Sequence, residues 1–150
     1  MTEISHELWM KSAIGRDLSE AEARELFIAS GRAQYNKDDR LFEEGDEAKA
    51  LYLIVIGEVD IEKKTQAGPV STIATLGPGS IVGEMSLLTD EDRSASARVI
   101  TDGGALVLRI EWTVFQQLLE DNRSAAYKII YALSRLLAHR LKRINLKVAE

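Results

Sequence analysis

The chain has 150 residues, 45% apolar and 29% charged, which suits one soluble domain with its own core and excludes a disordered or fibrous chain. It contains no cysteine, so disulfides, thiolate metal sites and a cysteine nucleophile are excluded, in keeping with a reducing compartment. The net charge of −5 is unevenly spread: residues 1–121 hold 12 Lys/Arg against 23 Asp/Glu, whereas residues 122–149 hold seven basic residues and no acid.

Met1 to Ala13 lack a basic stretch followed by an apolar run, so no signal peptide is read there. The most apolar stretch, Leu51 to Ile56, is far shorter than the ~20 residues of a membrane span. A cytoplasmic protein without a membrane span is expected. Residues 1–30 read as a helical segment that packs on the domain. Trp9, Met10 and Ile14 suggest a short first helix. Ser19 and Glu22 have capping-box spacing, Ala23, Leu26 and Phe27 recur at helical spacing, and Gly31 is the stop.

Residues 31–110 change to strands punctuated by glycine. Leu51 to Ile56 reads as a buried strand, and Val59-Asp60-Ile61-Glu62 alternates as a half-buried one. Gln66 to Pro69 marks a hairpin loop before a strand from Val70 to Leu76. Ala97 to Ile100 and Ala105 to Ile110 form a last pair around Asp102-Gly103-Gly104. Many short strands at this spacing imply a small barrel or roll.

Residues 111–150 return to the helical period. Trp112, Phe115, Leu118 and Leu119 make one amphipathic segment, which Asn122 breaks. Tyr127, Ile130, Ser134, Leu137, Leu141, Ile144 and Val148 then step by threes and fours as a heptad seam, while Leu133 and Leu136 fall beside it and face the roll. A homodimer through this helix is preferred over a helix that folds back on its own roll. The basic tail reads as a solvated face favoured by the helix dipole, ahead of a nucleic-acid contact.

Residues 82–99 carry the chemistry. A strand ends at Val82, Gly83 permits close backbone approach, and a short helix over Glu84 to Leu88 directs free N–H groups outward, which suits an anion. Arg93, nine residues after Glu84, offers a planar fork for a phosphate. Glu84, itself an anion, would instead accept from a hydroxyl beside that phosphate. A buried Glu84–Arg93 ion pair in a domain that binds nothing is the competing reading. An exposed Asp92–Arg93 pair is a further option, although neighbours on a strand point to opposite faces.

Gly83-Glu84-Met85-Ser86-Leu87 followed by Asp92-Arg93-Ser94-Ala95-Ser96 resembles the phosphate-binding cassette of the cyclic nucleotide-binding domain family, which includes the bacterial catabolite activator protein and regulatory subunits of cyclic-AMP-dependent protein kinase. Leu41 to Asp46, Leu51 to Val59 and Leu76 to Gly79 add to the likeness, which covers roughly residues 18 to 145. The resemblance implies an α+β fold: an eight-stranded, jelly-roll-like β-roll with N-terminal helices, a short cassette helix and a long C-terminal helix. It implies that Glu84 accepts from the ribose 2′-hydroxyl and that Arg93 pairs with the cyclic phosphate, helped by backbone N–H groups at Met85, Ser86 and Ser94. Val70, Ile73, Ile81 and Val82 would line base and sugar, and Asn145 would read the base edge. Ser86 stands where Ala or Gly is common, and Asp92 where Pro or Glu is. Neither change removes a ligand contact.

The function implied is a cyclic nucleotide sensor, cAMP ahead of cGMP, that rearranges its C-terminal helices and signals to an effector protein. The alternative is a ligand-free dimerisation module of the same fold. The chain stops at Glu150, where many bacterial relatives begin a helix-turn-helix, so no specific DNA binding is expected. His6 and His139 are too far apart in the chain to assemble a metal site, and no catalytic set stands out, so neither an enzyme nor a cofactor is expected.

Overall fold

A computed structural model describes residues 3–149, except the side chains of residues 87 and 144–149. Two short helices, α1 (Glu7–Lys11) and α2 (Glu20–Ala29), precede β1 (Gly31–Tyr35), β2 (Arg40–Phe42), β3 (Ala50–Ile56), β4 (Val59–Thr65), β5 (Gly68–Leu76) and β6 (Ile81–Val82). Helix α3 (Glu84–Thr89), β7 (Ser96–Val99), β8 (Ala105–Glu111), α4 (Trp112–Glu120) and α5 (Ser124–Ala149) complete the chain. The strands form two antiparallel four-stranded sheets in the orders β1-β8-β3-β6 and β2-β7-β4-β5. This is the eight-stranded roll with a long C-terminal helix that the sequence suggested.

Strand β3 is an unbroken apolar run because both of its faces are buried. Ala50, Tyr52 and Ile54 point between the sheets and meet Val59, Val82, Val99 and Val107. Leu51, Leu53 and Val55 point the other way, into a core closed by Trp9, Leu26, Phe115, Ile129 and Leu133 from the helices. Period-two alternation thus supplies two cores from one strand.

The break between α4 and α5 falls where Asn122 takes a left-handed φ of 56°. Leu133 is buried and Leu136 packs against the helical core, so this face of α5 lies on the roll, whereas Tyr127 and Leu141 are half exposed or more. Among the described residues no helix is long and apolar enough to cross a membrane, and no acid or histidine cluster could hold a metal ion.

Glu22 ties the first helices to the last. Its carboxylate accepts from the Ser19 backbone at 2.9 Å, completing the capping box of α2, and from Lys128 Nζ of α5 at 2.6 Å. Lys128 also donates to the Asp17 carbonyl at 2.9 Å. Partial burial raises the Glu22 pKa, but the bonds from Lys128, Ser124 and Ser19 outweigh it and draw the value from 4.5 down to about 2. A carboxylate lowered in the folded state contributes stability that is full above its unfolded pKa and is lost as pH falls through the folded one. Lys128→Met should therefore flatten the decline in stability between about pH 5 and pH 2. Urea denaturation across that range is the measurement, and an unaltered profile would contradict the assignment.

Candidate functional site

Strand β6 pairs with β3 in the register Leu53↔Ile81 and Tyr52↔Val82, which delivers Gly83 beside the start of β3. Gly83 has φ +86°, and a Cβ built there would lie 2.5 Å from Arg93 Nη1 and 3.2 Å from the Phe42 ring. Glycine is required both by the backbone and by the space.

That space holds the Arg93 guanidinium, only 3% exposed. It donates through Nη1 to the Gly83 carbonyl and through Nη2 to the Ala50 carbonyl, both at 2.6 Å, and lies 4.0 Å over the Phe42 ring. Its Nε is buried without a partner among the described residues. Burial pushes the Arg93 pKa below its ordinary value, against the pull of Tyr52, Asp46 and Glu84. A guanidinium remains charged under such pressure, so the site contains a desolvated cation with no carboxylate bonded to it among the described residues.

Glu84 opens α3 and is 6% exposed. Its Oε1 accepts from Arg140 Nη1 of α5 at 2.7 Å, so the acid of the cassette is paired with the long helix and not with Arg93. The expected Asp92–Arg93 option is not taken either: Asp92 is exposed and gives its carbonyl to Ser86 Oγ at 3.3 Å, while Arg93 turns inward. The N-cap of α3 is Gly83, which has no side chain to cap the first turn. Its leading N–H groups lack intrahelical acceptors, as in any helix.

These groups surround a cavity of about 300 Å³, at the small end of the range for small-molecule sites. Of the residues expected from sequence, Ile73, Ile81, Val82, Gly83, Glu84, Met85, Ser86, Arg93 and Ser94 all line it. Val70 does not. It is 51% exposed and lines a separate cleft with Glu62 and Lys64. The cause is a bulge: pairing of Ile61↔Ala74 but Glu62↔Thr72 leaves Ile73 without a partner, and the added residue inverts the alternation from Thr72 back to Val70. Ile73 thereby joins Ala74 and Leu76 at the cavity, and Val70 faces away. The side chain of Asn145 lies outside the described residues.

Sequence reasoning gave no site role to Phe42, Ile61 or Arg140, all of which line the cavity. For Arg140 a signal existed. It follows Leu133 by seven residues and Leu136 by four, on the roll-facing stripe of α5, where a cation is out of pattern.

A roll in which a short helix, a glycine and a buried arginine frame one cavity has the form of a small-ligand-binding domain. The model of the cyclic nucleotide-binding domain matches residues 32–122, and the chain belongs to that family. It is 35% identical over 118 residues to the cyclic AMP receptor protein of Thermus thermophilus, covering 78% of this chain and 51% of that one. The chain thus spans about half the length of that relative. The solved Thermus thermophilus catabolite activator protein superposes with a TM-score of 0.80 at 30% identity, over 92% of this chain and 62% of that one. A cyclic nucleotide-binding domain from Methylobacillus flagellatus gives 0.82 at 28% identity, over 92% and 79%.

Substituting Gly83→Ala should destabilise the domain by about 2 kcal/mol, from the left-handed backbone and the displaced guanidinium together. Chemical denaturation measures this, and a change below about 0.5 kcal/mol would show that the cradle is not tight.

Proposed function

We propose that the chain is a receptor for a 3′,5′-cyclic nucleotide that regulates another protein and performs no catalysis itself. The observation that supports this reading best is Arg93, a buried cation beside a largely apolar cavity, held by carbonyls and an aromatic ring with no acid bonded to it among the described residues. A phosphate monoanion supplies the missing charge, with N–H groups of Met85 and Ser86 at the head of α3 as further donors. Glu84 gives the ribose 2′-hydroxyl an acceptor, while Ile73, Ile81 and Val82 give sugar and base an apolar wall. The adenine form is favoured over the guanine form, in keeping with the name of the Thermus relative. The ligand is the nucleotide alone, and no metal or prosthetic group is invoked.

Signalling follows if the nucleotide binds one arrangement of α4 and α5 more tightly than another, since a ligand shifts an equilibrium only by its differential affinity. Helix α5 is the element to respond, with its seam, Tyr127, Leu137 and Leu141 included, pairing two copies. The ligand-free reading is a dimerisation module that uses the same seam, and the Glu84–Arg93 ion pair that would accompany it is not formed, since Glu84 is bonded to Arg140.

Calorimetric titration with cAMP and, in parallel, cGMP tests the receptor reading. One-site saturable binding should appear, and Arg93→Ala should weaken it by about a hundredfold or more while circular dichroism keeps the folded spectrum. Absence of binding to either nucleotide by the folded protein would leave the roll as a scaffold. Leu137→Glu combined with Leu141→Glu should convert dimers to monomers in sedimentation velocity. A wild-type monomer at the same concentration would remove the seam from the account.

A further inference from the structure

We propose that Phe42 is a positioning residue for Arg93: its ring holds the guanidinium by one face and leaves the N–H edges to an anion. The inference rests on the cyclic nucleotide reading and adds to it how the cation is kept ready without a counter-ion. The ring reaches the cavity through an irregularity in β2. Arg40 pairs with Arg98 but Phe42 with Ala97, so two steps along β2 meet one along β7. In a regular strand Leu41 and Phe42 would face opposite sides. Here both turn inward: Leu41 is buried between the sheets, and Phe42 packs on that core and lines the cavity. Re-aiming a side chain beside a site is a recurrent use of a bulge.

The segment that follows Phe42 grips the backbone of Arg93. The Arg93 N–H donates to the Asp46 carbonyl, and the Arg93 carbonyl accepts from the Gly45 N–H, both at 2.8 Å. In the side chain, Nη1 and Nη2 each reach one carbonyl, of Gly83 and of Ala50. Two such bonds pin the guanidinium along one line and leave its tilt about that line free. The Phe42 ring, with its centroid 4.0 Å from Cζ, fixes the tilt. The ring is braced in turn by Tyr52 of β3, whose centroid lies 5.9 Å away. A carboxylate in this place would also steady the cation, but it would occupy N–H donors and cancel the charge that an anion needs. The negative face of an aromatic ring attracts the cation without taking up those donors. Phosphate bonds to a guanidinium run in its plane, so ring and anion approach from different sides and do not compete. The attraction of the ring therefore persists in the occupied site, and the ligand meets a cation already oriented.

The test joins a ligand-free cycle to a titration, both on the full chain. Phe42→Leu keeps apolar bulk without a π face and should lower the urea midpoint. In an Arg93→Met background the same substitution should lower it by less than about half as much. Equal shifts in the two backgrounds would overturn the proposal. A side-chain readout needs no second substitution: the Arg93 Nε–H resonance should exchange with water faster in unliganded Phe42→Leu than in wild type, and an unchanged rate counts against the ring. With cyclic AMP, Phe42→Leu should bind about tenfold more weakly than wild type, whereas Phe42→Tyr, which keeps the face, should stay within about threefold. Full affinity in Phe42→Leu would make the ring a packing residue only, and equal losses in both variants would mean that its face is not what acts. If wild type binds neither cyclic AMP nor cyclic GMP, the receptor reading fails and the role of Phe42 in binding falls with it. Coupling in the ligand-free cycle would then still mark the hold of the ring on Arg93 as real, which tells that failure from a failure of the link itself.

Discussion

Burial of β3 on both faces is the constraint from which fold and site follow. One face of the strand completes the core between the sheets, the other the core under the helices, so its register is fixed twice over. The carbonyl of Ala50, its first residue, receives Arg93, and its pairing with β6 sets Gly83 where the guanidinium needs space. A slip of β3 by one residue would exchange the two cores and take away the Arg93 acceptor in the same step. The site is therefore as rigid as the core, because it is built on the same strand.

Electrostatics in the cavity then divide into two unequal parts. Arg93 is sealed from water, and dipoles and an aromatic face hold it in place of a counter-charge. Such a group gains from an incoming anion without having to release a carboxylate first. Glu84 is paired, but its partner comes from a helix that begins beyond the roll. The Arg93 end of the cavity is thus held by the sheet, and the Glu84 end is shared between cassette and helix.

Much of this was legible in the sequence, and the parts that were not have definite causes. The capping box at Ser19 and Glu22, the buried strand beginning at Leu51 and the break at Asn122 are local signals, and the structure contains each of them, although Ile56 at the end of that strand is exposed. Strands β1 and β2 were hidden because Gly31 to Tyr35 is mostly polar and β2 has three residues, so both are defined by their partners β8 and β7. Val70 was misplaced because a bulge leaves no mark in an alternating pattern: Val70 and Ile73 cannot share a face of a regular strand, and only the pairing tells which one turns inward. The cassette residues were found through spacing, but Arg140 was not, since its partner lies 56 positions away.

Helix α5 is 26 residues long and is fastened near its base by Lys128 and higher up by Arg140. Arg140 stands 16 residues beyond Ser124. At 1.5 Å per residue that is about 24 Å along the axis, and a tilt of about 10° at the base would carry it about 4 Å. The bond to Glu84 is 2.7 Å. A change of that size at the base is thus large enough to make or break the contact. The contact at the far end of α5 is geometrically sensitive to the angle at which the helix leaves its base.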